Sequence, residues 1–424
     1  MMATEANARV EAHRTAISRR WIAVGVFIIS STLNYLDRQL LATLAPLIIL
    51  EFRIDQTAIG WLFSMFSLVY AAGSLFAGYF LDRVGVSRGI TVAVSFWSAA
   101  AVSTGAVKSF SGLVACRAAL GLGESAGIPA VGKLNGVYLK PPERALGAAL
   151  NQVGLSLGLA LAPLWISVAT AYSWRVPFVI AGLLGFVWIP AWWAISKVIP
   201  PQFGSTGPLS SKANERSQKT NAGFTMLRDK RLIALMIANV LWMGSYSLWS
   251  NWTTLYLTRV YGVSLRQSAL YVWIPPVASN LGGFFGGWLS KRWVEQGRLP
   301  VAARRRAVWW SAVASLSTLA VPLAWNAGWA TVIISISFFF ALAGSVNIYT
   351  MPIDLYGPER SGFAIAALGC AFGLLQAVIS PVVGYLADHH RYSLVVWMVA
   401  ISPLLSAIVL MWVRETKAND WVRS

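Results

Sequence analysis

Twelve runs of roughly twenty apolar residues, parted by short polar turns, restrict this 424-residue chain to one kind of surroundings. They fall at 21–47, 57–81, 88–107, 109–135, 144–170, 175–198, 231–257, 268–290, 305–325, 328–350, 361–386 and 393–413. Each is long enough to cross a hydrocarbon layer of about 30 Å as a helix, and too long for barrel strands of about 9–11 residues. Backbone in lipid must satisfy its own hydrogen bonds, so the expected fold is an all-α membrane protein with twelve transmembrane helices. Composition agrees: 57% of residues are apolar and only 12% charged, where a soluble domain carries about 25% charged.

The net charge of +18 raises the question of a nucleic-acid partner, and its placement argues against one. With twelve spans, most of the 34 Lys and Arg fall on the side that holds both termini. The opposite side receives only Arg53, Lys108, Arg175, Arg259, Arg266 and Arg391. This asymmetry follows the positive-inside rule and puts both termini in the cytoplasm. Trp192, Trp193, Trp309, Trp310 and Trp412 sit near segment ends, as interfacial anchors do. Residues 1–20 are polar and read as a cytoplasmic tail with no cleavable signal before the first helix. Cys116 and Cys370 lie in apolar segments of different halves, with no disulfide or metal spacing. Neither a metal nor a cofactor is called for.

Residues 199–230 are rich in Ser, Pro, Gly, Lys and Arg and read as a polar linker. The linker divides six helices in 1–198 from six in 231–424, giving two six-helix bundles. Pro142-Glu143-Arg144, then Ala148-Ala149-Leu150 and Pro163, match Pro358-Glu359-Arg360, then Ala366-Ala367-Leu368 and Pro381. Internal repeats of this kind are a mark of transporters, although small residues shared for helix packing offer a plainer account.

Four charges lie inside the apolar segments: Asp37 and Arg38 in the first, Arg117 and Glu124 in the fourth. Each costs about 2.5–3.5 kcal/mol at the bilayer centre on insertion scales, so such residues usually mark the path of an ion or substrate. At 1.5 Å per residue Asp37 lies about 24 Å above the cytoplasmic end of its helix, and Arg117 about 12 Å below the outer end of the fourth. The two could therefore meet. Glu124 follows Arg117 by seven residues, two turns along one face. Arg38 projects about 100° from Asp37 and can face another partner, such as a substrate carboxylate. Salt bridges holding helices together are the alternative, but buried pairs add little net stability. His13, His389 and His390 all fall outside the spans, so Asp37 and Glu124 are the carboxylates through which a proton could pass. Lys133 sits near the cytoplasmic end of its helix and can snorkel. Asn34, Tyr35, Tyr70, Asn151 and Gln152 share this depth in the first half. Tyr246, Trp249, Asn251, Ser345, Asn347 and Gln376 do so in the second, which offers no central charge. Anion recognition is expected in the first half, with neutral hydroxyl-bonding groups opposite.

The stretch Gly78-Tyr79-Phe80-Leu81-Asp82-Arg83-Val84-Gly85, followed by Arg88, resembles the helix 2–3 loop motif of the major facilitator superfamily. The resemblance implies a gating role for Gly78, Asp82, Arg83, Gly85 and Arg88, with Asp82 capping a neighbouring helix to latch the outward-facing state. The corresponding place in the second half, Gly287-Trp288-Leu289-Ser290-Lys291-Arg292, lacks the Asp, so that latch is expected to be one-sided. Asn34-Tyr35-Leu36-Asp37-Arg38 and Arg117-Ala118-Ala119-Leu120-Gly121-Leu122-Gly123-Glu124-Ser125 resemble the anion:cation symporter family. That resemblance implies proton-coupled symport of an organic anion, a sugar acid such as a hexuronate, aldonate or aldarate, across a bacterial inner membrane by a monomer. It assigns Tyr35, Arg38, Tyr70 and Gln152 to the sugar acid, and Asp37, Arg117 and Glu124 to proton coupling. Leu374 stands where the family often has Asn, which leaves room for a less hydroxylated carboxylate. Anion exchange, carboxylate export and a non-transporting receptor are the competing readings. Enzymatic work is not expected, since the pore residues hold no nucleophile–base pair.

Overall fold

The computed structural model describes residues 2–139, 144–199 and 226–413, and these are helical apart from turns and caps. The expected linker at 199–230 therefore lies mostly outside the described residues. The first half holds α1 (Met2–Phe52), α2 (Gln56–Val84), α3 (Val86–Ala106), α4 (Phe110–Glu124), α5 (Gly127–Tyr138), α6 (Arg144–Leu161), α7 (Trp165–Ala171) and α8 (Arg175–Val198). The second holds α9 (Lys230–Val260), α10 (Leu265–Ser268), α11 (Ile274–Glu295), α12 (Pro300–Ser315), α13 (Ala327–Asp388) and α14 (Tyr392–Leu410).

Seven stretches among the described residues are long and apolar enough to span a membrane by those criteria alone. The other expected spans are helices that are broken or carry charge. The fourth, expected as one helix over 109–135, ends at Glu124 and restarts at Gly127. Pro129 explains the break: it has no N–H, and its ring collides with the carbonyl four residues back, at Ser125. The fifth is interrupted by a 3₁₀ turn at Ala162–Leu164, around Pro163. The ninth gives way to a 3₁₀ stretch over Leu316–Leu323 that contains Pro322. The eighth carries Lys291, Arg292 and Glu295 in its last turns.

The tenth and eleventh spans form one helical run of 62 residues, α13, which still folds back on itself. Asn239 Nδ2 donates to Tyr349 Oη at 3.4 Å and to Leu368 O at 3.1 Å. A straight helix would hold those two residues about 28 Å apart. The arms of α13 therefore lie side by side. At the α2–α3 junction a single residue, Gly85, caps both helices with φ +87°, a conformation glycine takes without a Cβ penalty.

The apolar core shows how the halves meet. One cluster runs through the whole first half and continues into the second only through residues at the end away from the chain termini. Leu248, Leu255, Val272, Val321, Phe338, Val383 and Val396 are among them. A separate cluster, including Leu235, Trp242, Val308, Met351, Leu368 and Leu410, fills the terminus-side part of the second half alone. Hydrogen bonds between halves gather toward the far end as well. Gln39 Nε2 donates to Ser250 O at 2.7 Å, and Ser64 Oγ to Ala377 O at 2.5 Å. Among the described residues the halves are thus sealed at the far end, while the terminus-side core of the second half stays separate.

Candidate functional site

Close helix contacts place the central charges. At Gly121, one turn before Glu124, an added Cβ would lie 2.5 Å from Phe66 O, so α4 presses backbone-to-backbone on α2. At Gly158 the same test gives 2.3 Å to Thr32 O, which brings α6 against α1. Small residues permit this approach, and substituted ones would prise the helices apart.

Arg38 lies in the space these contacts define. Its Nε donates to Glu124 Oε2 at 2.6 Å, and Glu124 is fully buried. The guanidinium is boxed by aromatic rings, with its carbon 4.4 Å from the Tyr70 centroid, 4.9 Å from Phe66 and 5.1 Å from Tyr35. Phe66 and Tyr70 stack on each other at 5.8 Å. Such faces attract a guanidinium by their quadrupole, by up to about 2 kcal/mol when desolvated. Among the described residues, neither Glu124 Oε1 nor Asn34 Nδ2 makes a hydrogen bond of good geometry.

This corrects the expected pairing. Arg38 does not stand apart from the acids awaiting a substrate; Glu124 holds it. Asp37 and Arg117, which could have met, do not close into an ion pair. Among the described residues Asp37 Oδ1 is buried without a hydrogen-bond partner, as are Arg117 Nε and Nη2, and the Arg117 guanidinium stands 5.5 Å from the Phe178 ring. The reason is register: α1 extends to Phe52 rather than residue 47. Counted from the far end, Arg38 lies about 21 Å deep, level with Glu124, while Arg117 lies only about 10 Å deep.

Ser31 Oγ donates to Asn151 Oδ1 at 2.6 Å. Both line a small cleft together with Asn34 and Tyr35. Gln152, Asp82 and Gly78 fall outside the residues whose side chains are described. Arg83 and Arg88 are exposed beside the Gly85 turn. Lys133 does not snorkel freely, since its Nζ donates to Leu81 O at 2.5 Å near the end of α2.

The second-half candidates divide. Asn251 Nδ2 donates to Ser247 Oγ at 3.3 Å, Ser247 Oγ to Gln376 Oε1 at 2.5 Å, and Gln376 Nε2 to Ser380 Oγ at 2.9 Å. This chain stitches α9 to the second arm of α13. Asn347 is fully buried and spends its amide hydrogens on Gly286 O and Ala343 O, so it ties α13 to α11. Ser345 Oγ donates to Met243 Sδ at 3.2 Å. Trp249 packs edge-on against Tyr256 and lines a far-end cleft with Gln39 and Ser250. Tyr246 packs edge-on against Phe338 at 5.0 Å. Phe66 was missed by the sequence reading; its place four residues before Tyr70, on the same helix face, was the available signal.

Two helical halves around buried ionic side chains suit a membrane transporter, and the family and relatives that the chain matches are transporters. The chain belongs to the Major Facilitator Superfamily, whose family model matches residues 27–345. It is similar to a hexuronate transporter of Escherichia coli K12, with 27% identity over 411 residues and 94% of each chain covered. It is also similar to a galacturonate transporter of Dickeya chrysanthemi, at 28% over 283 residues, covering 64% of this chain and 81% of that one. Among solved structures, a bacterial homologue of the human lysosomal transporter Spinster shares the fold. The TM-score is 0.76 at 18% identity, covering 94% of this chain and 99% of that one.

Proposed function

We propose that this protein is a proton-coupled symporter of an organic anion, a sugar acid of hexuronate or aldonate type, working by alternating access. The observation that carries the reading is the Arg38–Glu124 pair within its aromatic box. A substrate carboxylate that docks on Arg38 has to displace Glu124. Left buried without its cation, Glu124 is strongly disfavoured as an anion and takes a proton. Binding the anion and binding the proton thereby become one event. Asp37, buried with an unpartnered oxygen, is the second carboxylate available for a proton, and Arg117 is the cation that can offset it once ionised.

The similarity to hexuronate and galacturonate transporters supports the sugar-acid class. Tyr35 and Tyr70 beside Arg38, with Asn34 and Asn151 in the cleft that Tyr35 also lines, supply hydroxyl and amide groups for a polyol chain. Leu374 is 49% exposed where a further amide was expected, which favours fewer hydroxyl contacts from that helix. The lysine and arginine asymmetry supports an orientation with both termini and the 199–230 linker in the cytoplasm; two six-helix bundles in an inner membrane, acting as a monomer, complete the proposal. Calorimetric titration of the purified protein with glucuronate, galacturonate and galactonate tests the reading. Binding of at least one, coupled to proton uptake, is expected. Absence of binding for the whole panel between pH 5 and 8 would remove the sugar-acid assignment.

A further inference from the structure

We propose that Asp388 is a gating residue, a carboxylate latch that holds the halves together at the end away from the termini. The inference rests on the alternating-access reading for its purpose, but its geometry and its test do not depend on any substrate. Asp388 is the last residue of α13, in the second half, and its acceptors reach the first turn of α2, in the first half. Oδ1 accepts from Gln56 N at 2.8 Å, and Oδ2 accepts from Thr57 N at 2.8 Å and Thr57 Oγ1 at 2.7 Å. One side chain thus receives three hydrogen bonds from the opposite half.

The α2 N-terminus is built to need this partner. A helix starts with four N–H groups that have no intrahelical acceptor. The side chain of Asp55, the residue before α2, accepts from Ala58 N at 2.7 Å. The N–H groups of Gln56 and Thr57 go to Asp388. The carboxylate also stands at the positive end of the helix dipole, which favours an anion there. Around it the helices touch through glycine. A Cβ at Gly60 would lie 2.4 Å from Ser380 O, and one at Gly384 would lie 2.4 Å from Gln56 O. Tyr392 Oη donates to Gln56 Oε1 at 3.0 Å beside the latch. When the far end parts, water can replace each of these bonds. The contact is therefore reversible, and its strength sets how often the far end opens.

Double electron–electron resonance on the purified full chain tests this. Spin labels go on Lys108→Cys and Arg266→Cys, exposed far-end positions in opposite halves, with Cys116 and Cys370 changed to Ala. In the parent the short separation should dominate. Asp388→Asn and Asp388→Ala should move the ratio of wide to short separations upward by roughly tenfold, the scale of a lost charge-assisted contact. Thr57→Val, which removes one bond and keeps both backbone donors, should shift it less and in the same direction. Asp388→Asn is close to isosteric and serves if the Ala variant does not fold. Distance distributions for Asp388→Asn that superimpose on the parent, or a larger shift from Thr57→Val than from Asp388→Asn, would overturn the latch.

Discussion

At the scale of single residues, the proposed coupling makes Arg38 the cation for which Glu124 and a substrate carboxylate compete. Arg38→Ala should abolish substrate binding as measured by calorimetry, and Arg38→Lys should bind much more weakly, because an ammonium lacks the planar fork that pairs bidentately with a carboxylate. Wild-type affinity in Arg38→Ala would take Arg38 out of the site. Glu124→Gln should behave in the opposite sense. It removes the competitor and stands for the protonated acid, so the variant should bind at least as tightly as wild type. If one proton is taken up on binding, wild-type affinity should fall about tenfold per pH unit once Glu124 is ionised in the free protein. Glu124→Gln should lose that slope. The ring beneath the guanidinium separates two further roles. Tyr70→Phe keeps the face 4.4 Å from Arg38, whereas Tyr70→Ala removes it. Calorimetry should show a larger loss for Ala, and equal losses would assign the contribution to the hydroxyl instead.

At the scale of elements, proline and glycine decide where the charges stand. The membrane class, the twelve apolar runs and the first-half charge set were legible in the sequence, because apolar length and intramembrane charge are local properties. Pairing was not. Whether Arg38 meets Asp37, Glu124 or a ligand depends on where α1 ends, and Phe52 lies past a run that hydropathy closes at residue 47. The break before Pro129 was readable in principle, but a continuous apolar stretch masked it. Asn347 and Gln376 looked like pocket residues because an amide in an apolar helix is costly unless used; the structure uses them between helices. Glycines offer the test at this scale. Gly60→Val should wedge α2 from Ser380 and Pro381, widening the far-end separation between labels at positions 108 and 266. An unchanged distance distribution would mean that the α2–α13 contact does not hold that end shut.

At the scale of the whole molecule, the two halves are joined through a shared core at the far end, and the charged site lies below that seal. Alternating access then requires the seal to part while a second closes on the terminus side, with Arg38 passing between Glu124 and the substrate carboxylate. If Asp37 and Glu124 both carry protons with a monovalent anion, each cycle moves one net positive charge inward. An inside-negative potential, worth about 2.3 kcal/mol per charge per 100 mV, should then raise uptake, and voltage-independent uptake would leave a one-proton cycle. The most direct measurement is accumulation of labelled hexuronate by proteoliposomes with an acidic exterior, compared with Asp37→Asn/Glu124→Gln. The account expects wild-type protein to concentrate substrate above equilibrium until a protonophore is added, and the double variant to do no more than equilibrate it. Uphill accumulation by the double variant would contradict proton coupling through these two acids.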